Sequence, residues 1–207
     1  MSKYVVYDLE MCVVPKGEKR REFGSRQELI QIGAVLLDEE YKIIDKFMTY
    51  VAPRYGAIDP FIEKLTGITP ANVKGAPSTE EALHTFLSWM PDDAVMVSWS
   101  GSDPGQIYHE IDGKHIEIPR LEDLLYDSID CQWEFERKIG ATNAYGLANA
   151  LSVAGIDCES GAHDALVDAK NTAMLFAKIN LEPKLKMSKY YLTEEDMRCY
   201  RVCGALS

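Results

Sequence analysis

The first strand-like segment of the chain ends in two acidic residues, and this feature constrains the fold more than any other. Residues 4–10 read YVVYDLE, a pattern typical of a buried β-strand. Because side chains alternate along a strand, Asp8 and Glu10 point to the same face. Two like charges on a buried face oppose each other's ionisation, so a bound cation is the expected reason for the pair. The alternative is a surface strand whose acids face water.

The length and composition indicate one globular domain. The chain has 207 residues, of which 46% are hydrophobic, enough for one α/β domain with a modest extension. The sequence contains no run of about 18 apolar residues that could span a membrane. It also reaches the first strand without a charged leader and hydrophobic stretch of signal-peptide form. We therefore expect a cytoplasmic protein with no membrane partner.

The net charge argues against a general nucleic-acid coat protein, and the cysteines argue against a disulfide-bonded protein. A formal net charge of −11 argues against a general coat for nucleic acid, although an enzyme acting on a strand end remains compatible with it. The five cysteines are odd in number and lack paired C-x-x-C spacing, so we interpret them as reduced thiols. Two groups of basic residues are either phosphate contacts or ordinary solvated loops: Lys16, Lys19, Arg20 and Arg21, and Lys184, Lys186 and Lys189.

The order of the predicted elements indicates an α/β fold. Residues 15–24 are polar and contain Pro and Gly, which predicts a loop. The apolar run 29–37 and the alternating run 41–51 are separated by a three-residue turn, which predicts a hairpin. The run 94–99 suits a buried parallel strand. Hairpin strands followed by strands that alternate with helices predict a mixed sheet with helices on both faces.

Capping signals and apolar periodicity predict the helices. Asp59 followed by Pro60 is expected to begin a short helix, and Ser78 with Glu81 has the pattern of a capping box. The pattern over 121–129 fits either a strand or a helix. The other helical segments follow the turn at 100–104 or span residues 134–139, 145–154 and 162–179.

A third candidate acid, Asp103, follows the strand predicted over 94–99. In α/β sheets, ligands collect at the carboxyl ends of strands, so Asp103 is expected at the same edge as Asp8 and Glu10. The alternative is that Asp103 caps a helix that begins with Pro104, and the spacing fits that role well. The sequence at this position leaves both roles open.

Residues 161–169, GAHDALVDA, supply a fourth acid and a histidine. Asp168 lies on the helical stripe that should face the sheet, and an inward-facing carboxylate needs a partner. His163 is expected at or just before the first turn, where its imidazole can act as a general base. Two alternatives are an exposed His163 beside a capping Asp164, and Asp164 as the ligand in place of Asp168.

Together these residues resemble the DEDDh 3′-to-5′ exonucleases, a family with the ribonuclease-H-like fold. The matching pattern is Asp8-x-Glu10, then Asp103 after a strand, then His163 separated by four residues from Asp168. The first and last parts are fairly specific when they occur together. Asp103 is the weakest part because its motif is short.

The resemblance covers residues 4–180 and is strongest to the branch that contains the histone-mRNA and small-RNA exonucleases and the bacterial sporulation-inhibitor exonuclease. The branch often has an aromatic residue directly before the third acid, and this chain has Ser102 there, with Trp99 nearby. Besides the basic loop after the first motif, the stretches that carry the resemblance are ELIQIGAV at 28–35, YVAP at 50–53 and IEKLTGIT at 62–69.

The resemblance implies a ribonuclease-H-like α/β fold, with a mixed five-stranded sheet and helices on both faces. It implies an exonuclease domain over residues 1–180 and an extension of unassigned role over residues 181–207. It further implies His163 as general base and two Mg²⁺ or Mn²⁺ ions held by four acids: Asp8, Glu10, Asp103 and Asp168. The implied reaction is hydrolysis of the terminal phosphodiester at the 3′ end of single-stranded nucleic acid, expected to be RNA, to nucleoside 5′-monophosphates.

The resemblance also suggests how the 3′ end is recognised. It places the helix of Phe61 and Leu65 beside the terminal base, with Phe61 as a stacking platform and Met11 as a backbone contact. The alternative is that Phe61 packs against Leu65 in the core. Two other functions stay open: a DNA exonuclease of proofreading or repair type, and a catalytically silent module that regulates a partner. The sequence indicates no particular protein partner.

Overall fold

A mixed five-stranded sheet forms the centre of the structure, a computed structural model that describes residues 3–159, 161, 163–185 and 188. The strands are β1 (Tyr4–Val13), β2 (Gln27–Leu37), β3 (Ile43–Tyr50), β4 (Val95–Ser98) and β5 (Ile129–Asp130). Their order is β3-β2-β1-β4-β5. The pairs β1–β2 and β2–β3 are antiparallel, whereas β1–β4 and β4–β5 are parallel. The predicted mixed sheet of five strands and the predicted hairpin are confirmed.

Helices cover both faces of this sheet, as predicted. Helices α4, α5 and α6 pack on the face of Val5, Tyr7 and Leu9, and α7, α8 and α9 pack on the face of Val6. The alternation of side chains along β1 therefore separates two apolar cores. The helices of the described residues are α1 (Glu18–Phe23), α2 (Pro60–Thr66), α3 (Pro70–Val73), α4 (Thr79–Trp89), α5 (Ser102–Lys114), α6 (Pro119–Tyr126), α7 (Cys131–Ile139), α8 (Leu147–Val153) and α9 (Ala165–Leu181).

The caps predicted for α2 and α4 are confirmed. The Asp59 carboxylate accepts hydrogen bonds from the backbone N–H groups of Phe61 and Ile62, both at 2.9 Å. Ser78 and Glu81 form the reciprocal capping box, in which the Glu81 carboxylate accepts from the Ser78 N–H at 2.8 Å. These bonds satisfy N–H groups that have no partner within the helix.

The prediction of a loop over residues 15–24 is wrong at its centre, where α1 forms. Phe23 of this helix is buried and stacks on Tyr55, with ring centroids 5.1 Å apart. Gly24 then ends the helix in the left-handed conformation, with φ of 81°. The turn signals in the local sequence are therefore outweighed by a tertiary contact.

One ambiguous segment is resolved, and three helices differ from the predictions at their ends. The ambiguous segment 121–129 contains the end of α6 and the start of β5. The helix expected over 134–139 begins three residues earlier, because the Asp130 side chain accepts a hydrogen bond from the Trp133 N–H at 2.8 Å and caps α7. Helix α8 is shorter than predicted, and α9 begins later and ends two residues beyond the prediction.

Helix α9 approaches the sheet closely because a glycine lies at the contact. Gly33 of β2 pairs with Asp8 of β1. A Cβ atom added to Gly33 would lie 2.1 Å from the backbone nitrogen of Leu166 and 2.2 Å from the carbonyl carbon of Ala165. Ala165 and Ala169 are themselves fully buried. The first turn of α9 is thereby held against the Asp8–Gly33 pair.

Most of the predicted C-terminal extension lies outside the described residues, including Lys186 and Lys189 of the second basic group and the last two cysteines. Among the described cysteines, Cys12 and Cys131 are buried free thiols and Cys158 is an exposed one. No helix among the described residues is both long and apolar enough to cross a membrane.

Replacing Gly33 with Ala tests the close contact between α9 and β2. The added methyl group cannot fit without backbone movement, so we expect the free energy of unfolding to fall by about 1–3 kcal/mol, the usual cost of overpacking. Urea denaturation measures this change. Gly146→Ala is the matched control, because an added Cβ at Gly146 meets no atom within 4 Å. Equal stability of the two variants would contradict the interpretation.

Candidate active site

The acids selected from the sequence meet at the carboxyl end of β1. Asp8 and Glu10 lie on β1, Asp103 lies near the start of α5, and Asp168 lies in the first turn of α9. One potential ligand atom from each of Glu10, Asp168 and His163 lies within 4.8 Å of the others. The charges of Asp103, Glu10 and Asp168 all act on Asp8. The structure thus brings the five residues of the sequence pattern into one cluster.

Three carboxyl groups of this cluster, those of Asp8, Glu10 and Asp103, resist ionisation. Burial raises the pKa of Glu10 to about 8, and the charges of Asp168 and Asp103 add to the rise. Burial also raises the pKa of Asp103 to about 7. The pKa of Asp8 is raised well above its ordinary value by burial first and then by Asp103 and Glu10. Within the part of the chain that the structure describes, no Lys or Arg forms an ion pair with these groups.

The residues before α9 fix Asp168 and leave His163 exposed. The Asp164 carboxylate caps the helix by accepting from the N–H groups of Leu166 at 3.0 Å and Val167 at 3.2 Å. The backbone N–H of His163 donates to Asp168 Oδ2 at 2.9 Å. His163 has a left-handed backbone, with φ of 68°, and its side chain is exposed. Such a conformation strains a non-glycine residue and is often found at functional sites.

Two residues of β2 that sequence reasoning missed hold α9 in this place. Gln31 is buried and pairs with Glu10, and its side-chain oxygen accepts a hydrogen bond from the N–H of Ala165 at 3.1 Å. Gly33 is the other, because it leaves room for the helix. The sequence signal that could have revealed them is a polar residue and a glycine within the otherwise apolar run 29–37. A buried polar group needs a hydrogen-bond partner, so Gln31 indicates a contact with another segment.

Asp103 lies inside α5 and does not cap it. The N-cap residue is Gly101, and Asp103 is the second residue of the helix and only 5% exposed. The alternative role as an N-cap is therefore wrong. The hydroxyl of Ser102 lies 3.4 Å from Asp103 Oδ2. Trp99 packs against Phe135, with ring centroids 6.3 Å apart, so it is part of a core cluster.

The residues selected for substrate contact lie around the same end of β1. Phe61 and Leu65 are one turn apart on α2 and are 68% and 38% exposed, so the alternative that Phe61 packs in the core is wrong. The opposite side of α2 is anchored by Ile62, which packs in a cluster with Cys12 of β1. Met11 is half-buried and follows a register shift in the β1–β2 pairing.

Comparison with known proteins assigns the family. The family model RNase_T, described as exonuclease, matches residues 5–176. The DNA polymerase III subunit epsilon of Aquifex aeolicus is 32% identical over 158 residues, which are 74% of this chain and 72% of that protein.

Two longer relatives are matched over a part of their length. The ERI1 exoribonuclease 2 of Danio rerio is 29% identical over 180 residues, 75% of this chain and 32% of the relative. The PolC-type DNA polymerase III of Caldanaerobacter subterraneus is 29% identical over 178 residues, 86% of this chain and 12% of the polymerase.

Solved structures agree with this assignment at the level of fold. The nuclease domain of 3′hExo, a DEDDh family member bound to rAMP, superposes with a TM-score of 0.71 at 17% identity, over 91% of this chain and 96% of that one. A full-length 3′-exonuclease gives a TM-score of 0.74 at 18% identity, over 90% of this chain and 85% of the other. The chain belongs to the exonuclease family, and its fold is the ribonuclease-H-like fold of the DEDDh 3′-to-5′ exonucleases.

Proposed function

We propose that the protein is a metal-dependent 3′-to-5′ exonuclease that removes nucleoside 5′-monophosphates from single-stranded nucleic acid, with RNA as the preferred substrate. One observation carries the proposal: four carboxylates and one exposed histidine gather at the carboxyl end of the central strand. Membership of the exonuclease family supports the reaction. The exoribonuclease relative supports RNA.

The donor set fits hard divalent cations. Carboxylate oxygens are the ligands that Mg²⁺ and Mn²⁺ prefer, and a cation would supply the positive charge that the cluster needs. In this proposal, Asp168 is the fourth ligand, because one of its ligand atoms lies within 4.8 Å of those of Glu10 and His163, whereas Asp164 caps α9. Two bound ions would activate a water molecule and neutralise charge on the leaving oxygen. The proposed ligands are Asp8, Glu10, Asp103 and Asp168.

His163 is suited to accept the proton of the attacking water. Its imidazole is exposed, and one of its ring nitrogens lies within 4.8 Å of ligand atoms of Glu10 and Asp168. A general base must lie within hydrogen-bond reach of the proton that it removes, either directly or through one water molecule, and a water molecule held beside these carboxylates would lie within that reach. The hydrogen bond from its backbone to Asp168 ties the base to the proposed ligand set.

The outer face of α2 is proposed to bind the terminal nucleotide. Phe61 and Leu65 present adjacent apolar surface to solvent, and exposed apolar groups that cluster in this way mark binding sites. An aromatic ring stacks on any base, which suits an exonuclease that removes successive nucleotides. Met11, at the end of the strand that carries Asp8 and Glu10, is proposed to contact the nucleotide beside them.

A DNA exonuclease is the second candidate function. The observation that favours it is the match to the epsilon subunit of DNA polymerase III, which covers 72% of that protein. The five-residue cluster is compatible with hydrolysis of either RNA or DNA, because a protein distinguishes the two by contacts to the 2′-hydroxyl group.

An assay on RNA and DNA oligonucleotides of matched sequence tests the function. With a 5′ label and Mg²⁺ or Mn²⁺, we expect stepwise shortening from the 3′ end and a higher rate on RNA. Asp8→Asn should reduce the rate to background because it removes a charged ligand. Asp112→Asn is the control, since it makes the same change at an exposed position of α5. Faster cleavage of DNA would overturn the RNA preference, and full activity of Asp8→Asn would overturn the metal site.

Replacing His163 with Ala tests its role as general base. We expect the single-turnover rate to fall by about two to four powers of ten, while Mn²⁺ binding measured by calorimetry is retained. His115→Ala is the matched control, because His115 is also exposed and has a left-handed backbone with φ of 54°. Loss of Mn²⁺ binding in His163→Ala would show instead that this residue is a ligand or a structural group.

The pH dependence of stability tests the electrostatics of the metal-free cluster. The pKa values of Glu10 and Asp103 are raised in the folded state to about 8 and about 7. Folding therefore favours the protonated carboxyl groups, and their contribution to stability is full at acidic pH and is lost as pH rises through these values. We expect the Tm to fall between pH 5 and pH 8.5, by about 2–4 °C for each kcal/mol lost from the free energy of unfolding.

Two comparisons isolate the effect of the cluster from other titrating groups. Glu10→Gln should flatten the pH dependence of the Tm, and adding Mn²⁺ to the wild-type protein at pH 8 should restore its Tm. The interpretation is contradicted if the wild-type and Glu10→Gln proteins lose stability in parallel over the whole pH range.

A further inference from the structure

A second buried group of charged residues lies apart from the acidic cluster, and the proposed reaction does not use it. Glu28 of β2 and Glu110 of α5 are completely buried. The Lys114 ammonium group at the end of α5 lies 2.6 Å from the Glu28 carboxylate and 2.7 Å from the Glu110 carboxylate. It also donates a hydrogen bond to the hydroxyl of Thr79. We call Glu28, Glu110 and Lys114 the buried triad.

The Glu28 carboxylate holds the segment that connects β3 to α2. Its Oε1 atom accepts from the N–H of Arg54 at 2.7 Å, and its Oε2 atom accepts from the N–H groups of Tyr55, at 2.7 Å, and Gly56. Three successive backbone N–H groups thus converge on one anion. Hydrogen bonds to an ionised acceptor are stronger than neutral ones, so the position of Glu28 fixes the path of residues 54–56.

The same segment is seated on the end of β1. A Cβ atom added to Gly56 would lie 2.5 Å from Cys12 Sγ, and the N–H of Ala57 donates to the carbonyl of Val13 at 3.2 Å. Asp59 then caps α2 directly. Few residues separate the fixed segment from the helix, so a shift of residues 54–56 moves α2 relative to β1.

The Glu110 member of the buried triad holds the helix that carries Asp103, through bonds that do not involve Glu28. Glu110 Oε1 accepts from the N–H of Leu29 at 2.7 Å. The side-chain amide of Gln106 donates to Glu110 at 2.7 Å and to the carbonyl of Gln27 at 3.1 Å. One group of charges therefore attaches α5 and the segment before α2 to the same part of β2.

Stability alone is a weak reason for such a group. Removing charges from water costs free energy that the ion pair repays only in part, and apolar residues of similar volume often serve packing equally well or better. Hydrogen bonds to three consecutive N–H groups hold residues 54–56 in a single position, which apolar packing would not do. This difference points to a role in geometry.

We propose that Glu28 and Lys114 are positioning residues for substrate binding. Through residues 54–56 they set the separation of α2 from β1, and so the affinity for the 3′-terminal nucleotide. The inference rests on the proposed function, because that function makes Phe61 and Leu65 of α2 the wall of the nucleotide site.

Three variants and two substrates test the proposal. Glu28→Gln removes the anion, and Gly56→Ala displaces the segment without a change of charge. The double variant Gly56→Ala/Cys12→Ala removes the sulfur atom, which is the closest atom that the new methyl group would meet, and leaves Glu28 Oε2 at 3.2 Å and the Val13 carbonyl oxygen at 3.3 Å. The substrates are a single-stranded oligonucleotide and bis(p-nitrophenyl) phosphate, which has no base and reports on the acidic cluster alone. Hydrogen exchange of residues 54–56 and of α2 gives a readout that is independent of activity.

We expect Glu28→Gln and Gly56→Ala to lose exchange protection over residues 54–56 and α2. Their KM for the oligonucleotide should rise about tenfold with little change in kcat, the pattern of lost substrate binding, while hydrolysis of bis(p-nitrophenyl) phosphate stays within about twofold of wild type. The double variant, in which the closest contact of the new methyl group is removed, should recover part of the protection and have a KM between those of Gly56→Ala and the wild type. Val153→Ala, which removes a buried side chain from the opposite core, should leave the KM unchanged.

Equal losses on both substrates, or the same KM rise in Val153→Ala, would overturn the proposal in favour of a general effect on stability. An unchanged KM despite lost exchange protection would also overturn it. A wild-type protein that hydrolyses bis(p-nitrophenyl) phosphate but shortens no oligonucleotide from its 3′ end would overturn the proposed function instead. The exchange data would then report separately on whether Glu28 fixes the segment.

Discussion

The burial of mutually repelling carboxyl groups at the end of β1 is the physical constraint that the surrounding fold has to satisfy. Burial and mutual charge raise the pKa values of Asp8, Glu10 and Asp103, so their assembly opposes folding at neutral pH. The fold brings them together nevertheless by packing β1 between two cores and by holding α9 close to the sheet at Gly33. A bound cation would offset this unfavourable free energy and would use the same carboxyl groups as ligands.

The sequence predicts the parts of the fold and site that depend on local patterns. Alternation along β1 places Asp8 and Glu10 on one face, and the helical period places Asp168 toward the sheet. Other features depend on contacts between distant segments. Helix α1 forms because Phe23 packs on Tyr55, and the exposure of Phe61 follows from which side of α2 faces β1.

The residues that the sequence did not reveal also depend on contacts between distant segments. Gln31 and Gly33 matter because the β1–β2 register puts them opposite Glu10 and Asp8. The role of Glu28 depends on the path of residues 54–56, which no local pattern specifies. The two charged groups have different tasks in this account. The acidic cluster supplies the proposed chemistry, and the buried triad sets the geometry of the wall beside it.

A crystal structure with Mn²⁺ and a nucleoside 5′-monophosphate would show directly whether the four acids hold two metal ions. We expect two anomalous peaks about 3.5–4 Å apart, bound by Asp8, Glu10, Asp103 and Asp168, with the phosphate between the ions and His163. The absence of metal from this cluster at saturating Mn²⁺, or coordination by Asp164 in place of Asp168, would contradict this expectation.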